Sequence, residues 1–295
     1  MTVGSSITKL LNAVEQDQDR WMLNDHLGIN RCTSRQELTE MTLRYPTVMI
    51  PLRGTKEVLV GDNNHVITPG KMAILPSGTS FDVINMPNDA GESYQGVVIN
   101  FDAKVLENFQ TLYGSSFDAW DLSPRWQTDQ ADRLLAILAD WVAHLQEFGA
   151  NDVQARHKLA ELLLVMAEGG MAGNLLVDRH SVMSDRIRHR LSLDPAREWR
   201  SADVAATEGV SESTLRRMLR EENASFRGLL EQVRLEHAVE LVMFTAIPVG
   251  EVAHRCGYTS QSRFAGSFRR RFSMSPTELR ASQGREIPQA AAAMG

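Results

Sequence analysis

The sequence holds 295 residues, 43% of them hydrophobic and 23% charged, which suits two globular domains with a core each. No apolar run approaches the roughly 18 residues of a membrane span, no basic segment leads into an apolar one at Met1, and Cys32 and Cys256 alone make neither a disulfide framework nor a zinc site, so a reducing cytoplasm is expected. The net charge of −6 disfavours nucleic acid as a partner until it is divided: residues 185–285 carry 17 Arg against 13 Asp and Glu, a surplus of 4, which leaves −10 on the remainder.

Residues 5–24 predict one helix with Ile7, Leu10, Leu11 and Val14 on a face, followed by an irregular connection around Gly28. From Leu43 to Phe101 short apolar runs bounded by turn residues predict five or six strands, in a small barrel or sandwich. Asp62-Asn63-Asn64 is read as a hairpin turn, and Pro69-Gly70 and Pro76-Ser77-Gly78 as further reversals. A metal-dependent enzyme would need several histidines and a carboxylate on one centre; the first 125 residues hold only His26 and His65, without an H-x-H pair, so no metal, no cofactor and no catalytic set is expected. His65 is read as an ordinary strand residue, and a sensor role for Cys32 finds no support in its neighbours.

Between Trp126 and Gly170 two helical stripes, Leu134 to Leu145 and Leu159 to Met166, predict an antiparallel hairpin that either packs on the strands or forms a homodimer seam. Gly169 to Ser181, with little periodicity, is the expected linker.

In residues 201–226 small residues precede a Glu208-Gly209-Val210 break, Ser211 is a natural N-cap, and Leu215, Met218 and Leu219 make the inward stripe of the helix that follows. Its outward face holds Ser213, Arg217 and Arg220, with Arg216 on the flank. Residues 226–244 keep a helical period at Leu230, Val233, His237, Leu241 and Phe244, which predicts one long helix with His237 in its core. Residues 247–280 repeat the earlier layout: Val249, Val252, Ala253 and Cys256, a Gly257-Tyr258-Thr259 break, then Phe264, Phe268 and Phe272. At about 100° per residue the face opposite those aromatics is Ser262, Arg263, Gly266 and Arg270. It starts at Ser260 and Gln261, where unpaired helix N–H groups favour phosphate. Ser275-Pro276-Thr277-Glu278 is a capping box that starts a last helix. Two helix-turn-helix units joined by one helix present two arginine-bearing helices of the size that enters a major groove. Every Lys lies outside this segment, and Arg has the planar fork that fits guanine edges and phosphates.

These residues resemble the AraC/XylS transcription regulators. The resemblance rests on the two units, Arg234-Leu235-x-x-Ala238-x-x-Leu241, Gly257-Tyr258-x-Ser260-x-Ser262-x-Phe264, and Phe272-x-x-Ser275-Pro276-x-x-x-Arg280. Tyr45-Pro46, Gly54-Thr55-Lys56-Glu57-Val58, Gly61-Asp62, Pro69-Gly70 and Asn100-Phe101-Asp102 are similar to the cupin-like N-terminal domains of such regulators. The resemblance implies an α+β multidomain chain, a cupin-like β-barrel with its helical hairpin over residues 1–168 and an all-α double helix-turn-helix domain over 182–283, with the linker over 169–181 between them. The stretch over 284–295, which has no packing pattern, is expected to be a disordered tail.

It further implies double-stranded DNA as partner, entered in two successive major grooves. Base-reading positions then fall on Ser213, Arg216 and Arg217, and on Gln261, Ser262, Arg263 and Gly266. RNA polymerase and a second copy of the chain are expected partners, with a small effector in the barrel; Arg53 and Lys56 are candidates for holding an anionic one. Gly266 departs from the family pattern, where a long side chain is common, so the second unit is expected to lean on phosphate contacts. Two other readings stay open: a constitutive DNA-binding protein whose barrel only dimerises, and a cupin-type enzyme fused to a DNA module.

Overall fold

A computed structural model describes residues 3–16, 22–88, 91–128, 132–177 and 182–284. The described residues form two compact units, residues 3–177 with 282–284, and residues 182–281.

In the first unit α1 (Val3–Gln16) precedes β1 (Met22–Asn24), β2 (Leu27–Cys32), β3 (Gln36–Thr42), β4 (Thr47–Arg53), β5 (Thr55–Val60), β6 (Asn63–Ile67), β7 (Met72–Leu75), β8 (Ser80–Met86) and β9 (Tyr94–Asn100). Then come α2 (Ala103–Tyr113), β10 (Gln127–Thr128), α3 (Asp132–Phe148), α4 (Asp152–Glu168) and the one-turn α5 (Gly173–Leu176). The strands make a six-stranded antiparallel sheet, β1-β2-β9-β4-β7-β10, and a four-stranded one, β3-β8-β5-β6. The expected barrel is therefore realised as two sheets, with no closed ring of hydrogen bonds among the described strands. Strands β2, β4 and β9 are covered on both faces. Ile29, Val48, Ile50, Val97 and Ile99 share one core with Leu135, Trp141, Leu159 and Leu163 of α3 and α4, while the alternate residues face the smaller sheet.

Four expectations give way here. The helix read over 5–24 ends at Gln16, and residues 22–24 are already strand. The stretch read as irregular holds β2, whose alternation is hidden because it is buried on both faces and carries Asn30 and Arg31 inside, and β3, whose alternation is broken by a register shift between Leu38 and Met41. The hairpin turn is Gly61-Asp62, since Val60 pairs with Asn63. Residues 169–177, read as linker, belong to the packed unit: Met171, Ala172 and Leu175 are buried, and the Asn174 amide donates to the Ile74 and Arg125 carbonyls at 2.9 and 2.8 Å. The tail from residue 285 lies outside the described residues.

The second unit is α6 (Met183–Ser192), α7 (Ser201–Thr207), α8 (Glu212–Glu221), α9 (Phe226–Phe244), α10 (Val249–Arg255), α11 (Gln261–Phe272) and α12 (Pro276–Ser282). Ile187, Leu191, Val204, Leu215, Leu219, Leu229 and Val233 form one core around α8. Around α11, Phe264, Phe268 and Phe272 are fully buried, with ring centroids 5.7 and 4.8 Å apart along the stripe. The inward residues of α9 differ from the expected stripe. Because α9 packs on both halves, it buries Leu229 and Val233, then Leu235, Ala238, Val239, Val242 and Met243, leaving Leu230, Leu241 and Phe244 half-buried.

Candidate nucleic-acid interface

Three serines start the helices that build this surface. Ser211, Ser225 and Ser260 accept the amides of Thr214, Gly228 and Arg263 at 3.2, 3.1 and 3.4 Å, capping α8, α9 and α11. Before α8 and α11 stands a left-handed glycine, Gly209 (φ 72°) and Gly257 (φ 75°), which lets the chain reverse without strain. At Gly257 a Cβ would come 2.7 Å from the Arg234 guanidinium, so the turn also needs the missing side chain. That guanidinium is anchored, donating to the Pro195 and Arg197 carbonyls at 3.0 and 3.2 Å.

Several charged residues that the sequence leaves unassigned are internal fasteners. The Glu222 carboxylate caps α6 through the amides of Met183 (2.9 Å) and Ser184 (2.7 Å). Glu208 is buried between Arg186 and Arg190. The closing motif is structural as expected. Ser275 and Glu278 exchange hydrogen bonds at 2.7 and 3.1 Å, and Arg280 turns inward to the carbonyls of Val242, Thr245 and Ile247 at the end of α9.

What remains outside is the candidate interface. On α8, Ser213, Arg216, Arg217 and Arg220 are exposed opposite buried Leu215 and Leu219. Arg216 lies 3.5 Å from Glu212 and Arg217 3.0 Å from Glu221, exposed i,i+4 pairs of the weak kind that a stronger anion displaces. Arg220 makes no ion pair among the described residues. It lines, with Arg216 and Arg227, a groove of about 420 Å³ beside the start of α9.

On α11, Gln261, Ser262, Arg263, Gly266 and Arg270 are exposed opposite the three phenylalanines, and Ser260 sits at the cap. The Gln261 amide lies against α10, so close to Gly250 that a Cβ there would come within 2.1 Å of it. Arg263 is unpaired among the described residues. Arg269 pairs with Glu278 at 3.1 Å, and Arg271 turns back toward Glu236 at 3.8 Å and the Phe272 ring, as its place near the aromatic stripe implies. Gly266 has open space around it: a Cβ would meet nothing within 4 Å.

Sequence reasoning left out Arg227 and Glu231, one turn apart on α9, which line a second cleft of about 600 Å³ between α9 and α11. The signal available was Ser225 as an N-cap, which places Arg227 in the first turn of the joining helix.

The two cysteines are buried, and burial pushes both thiols up to about 12, which removes them as thiolate sensors near neutral pH. His65 stacks on Trp126 at 6.3 Å. Arg53, in the first unit, pairs with Glu15 at 3.0 Å and Glu92 at 3.6 Å. Lys56 is 2% exposed, with its ammonium on the Asn85 side-chain oxygen and 5.4 Å from the Tyr94 ring centre. Asn85 in turn donates to Gln36 at 2.7 Å, so Gln36, Asn85 and Lys56 form a polar row across β3, β8 and β5, facing Cys32 and Tyr94 of the other sheet. Burial pulls the Lys56 pKa down to about 7.

Residues 204–282 match the family of helix-turn-helix domains. The urease operon transcriptional activator of Escherichia coli is 37% identical over 94 residues, 32% of each chain. The transcriptional regulator YdeO of Escherichia coli is 30% identical over 148 residues, 48% of this chain and 56% of that one. The chain thus spans about one third to just over half the length of these curated relatives. Among solved structures, the unsaturated fatty acid bound ToxT of Vibrio cholerae superposes with a TM-score of 0.66 over 88% of this chain and 96% of its own, at 14% identity. That likeness concerns the fold, an N-terminal β-rich part followed by a helical one. No described helix is long and apolar enough to cross a membrane.

Proposed function

We infer that this chain, whose C-terminal unit is an AraC-type helix-turn-helix domain, is a sequence-specific, DNA-binding transcription regulator that responds to a small molecule through its N-terminal unit. The observation that carries the reading is the pair of helices α8 and α11, each capped by serine, apolar on its inner face and polar with arginine on its outer one, joined by α9. Ser213, Arg216, Arg217 and Arg220 meet one major groove; Ser260, Gln261, Ser262, Arg263 and Arg270 meet the next. The Gln261 amide must leave α10 to reach a base. RNA polymerase and a second copy of the chain are the proposed protein partners, in the cytoplasm, and no catalytic role is proposed.

Since the helices that form the surface close on their own core, a fragment of residues 178–295 is expected to fold and to bind specific duplex DNA, more weakly than the whole chain if a second copy adds avidity. Gel-shift titration against promoter fragments checks this; a folded fragment without sequence preference would count against the reading.

For the effector, Lys56 carries more weight than Arg53, whose guanidinium already has two carboxylates. Lys56 is a buried amine with no acid beside it among the described residues, so an anion bound against it would supply the missing charge. The fatty acid bound by ToxT makes a long-chain carboxylate the first compound to try. Oleate at about 100 times its dissociation constant should stabilise the chain by roughly 2.7 kcal/mol, and Lys56→Met should abolish that shift. If neither oleate nor any other organic anion moved the melting temperature, and operator affinity were unchanged by all of them, the constitutive reading would replace this one.

A further inference from the structure

We propose that the cleft between α9 and α11 is a backbone-phosphate site in which Glu231 stands in for the phosphate until duplex DNA arrives. The proposal rests on the DNA-binding reading and adds to it a site that the joining helix α9 contributes through Arg227 and Glu231, bordering Arg263 and Gly266 on the base-reading face of α11. The cleft is lined by Arg227, Arg263 and Arg270, and Glu231 is the sole acid in its wall. Arg227 and Arg263 are exposed and carry no ion pair among the described residues. Arg234 also reaches the cleft, but its guanidinium is committed to the Pro195 and Arg197 carbonyls, so it shapes the wall and leaves no fork for a ligand.

Glu231 lies one turn beyond Arg227 on α9 and reaches across to α11. A single oxygen, Oε1, accepts from Ser267 Oγ at 2.7 Å and from Arg270 Nη2 at 3.3 Å, and Arg270 Nη2 also donates to Ser267 Oγ at 3.1 Å. One anionic oxygen gathering a hydroxyl and a guanidinium is the arrangement that a phosphodiester oxygen makes at such sites. The pair is open to water, with Arg270 73% and Glu231 42% exposed, and an ion pair so exposed is weakly held. A phosphate can take Arg270 from it at little cost. Gly266, on the same wall, has nothing within 4 Å of where a Cβ would stand, so no side chain there blocks the approach of a strand. Arg227 also lines the groove beside α8, which places one unpaired cation where both clefts open, and hence on the strand that passes between two successive grooves.

If Glu231 holds a phosphate's place, it lowers the affinity of the full chain for DNA of any sequence. Glu231→Gln keeps an acceptor for Ser267 and removes the charge. In fluorescence-anisotropy titrations of the full chain against a short mixed-sequence duplex at several salt concentrations, Glu231→Gln should bind more tightly than wild type at each salt, with the log–log salt slope steeper by about one. The gain should vanish when Arg270→Ala is added. Arg227→Ala, at an exposed unpaired position where folding is not at stake, should make the slope shallower by about one. Wild-type affinity and slope in Glu231→Gln, or an unchanged slope in Arg227→Ala, overturns the proposal while leaving the DNA-binding reading intact. A wild-type chain that binds neither this duplex nor promoter DNA overturns both.

Discussion

Replacing Arg217 with alanine should cost about 1–3 kcal/mol at one base pair of the operator and flatten the preference there, while leaving affinity for mixed-sequence DNA nearly unchanged. Arg217 stands at the middle of α8, two residues past buried Leu215, so its side chain leaves the helix on the exposed face and 67% of it is open to solvent. Its present partner is Glu221, one turn on at 3.0 Å, an exposed pair that gives up little when the fork turns to the O6 and N7 of a guanine. Arg270 is the contrast. It lies about two and a half turns into α11, is held by Glu231 and Ser267, and faces a cleft suited to phosphate, so Arg270→Ala should weaken all sequences about equally. Its effect on the salt slope should stay below one while Glu231 offsets its charge. Titration of both variants on the operator and on its single-base variants separates the two roles. A uniform loss for Arg217→Ala, with base preference intact, would remove α8 from the groove.

The contrast also shows which parts of the site were legible in the sequence. The outward faces of α8 and α11 follow from helical period alone, because Leu215 and Leu219, or Phe264, Phe268 and Phe272, fix the buried side and leave the arginines opposite. The caps follow from Ser before a Thr- or Arg-bearing first turn. Three things did not follow. Glu231 and Arg227 act through a neighbour helix, and no spacing within α9 tells which of its polar residues reach α11. Strand β2 was missed because a strand buried on both faces loses the alternation that marks a strand and because it carries Asn30 and Arg31 inside; β3 was missed because its buried row begins with the polar Gln36 and a register shift between Leu38 and Met41 breaks its alternation. The stripe expected for α9 failed for a related reason: a helix packed on both halves of its domain has no single inward face.

That double packing leads to the second large effect, a pH dependence of stability centred on Glu236. This residue sits halfway along α9, 7% exposed, with α6 on one side and α11 on the other. Burial pushes its carboxyl up from the usual 4.5 to about 7. Arg188 of α6, Gln232, and Arg271 of α11 pull the other way, and Glu240 adds to the rise. Burial outweighs them; Arg271 is 3.8 Å away, and Arg188 also faces Asp185 at 3.7 Å and Gln232 at 3.5 Å.

A carboxyl raised on folding is protonated in the native state at pH values where the unfolded chain has already lost its proton, so the native state binds more protons between about 4.5 and 7. The stabilisation is complete below about 4.5 and is lost as the pH rises through about 7. The shift corresponds to roughly 3 kcal/mol across that window. Trp199 is the sole tryptophan of residues 178–295 and packs against the α6–α8 core, so its fluorescence follows unfolding of the fragment in urea. The wild-type fragment should lose stability relative to Glu236→Gln as the pH is raised from 5 to 8, because the glutamine has no proton to lose. Parallel pH profiles for the two proteins would mean that Arg188 and Arg271 already hold the carboxylate charged, and that Glu236 is an ion-paired bridge between α6 and α11 at every pH tested.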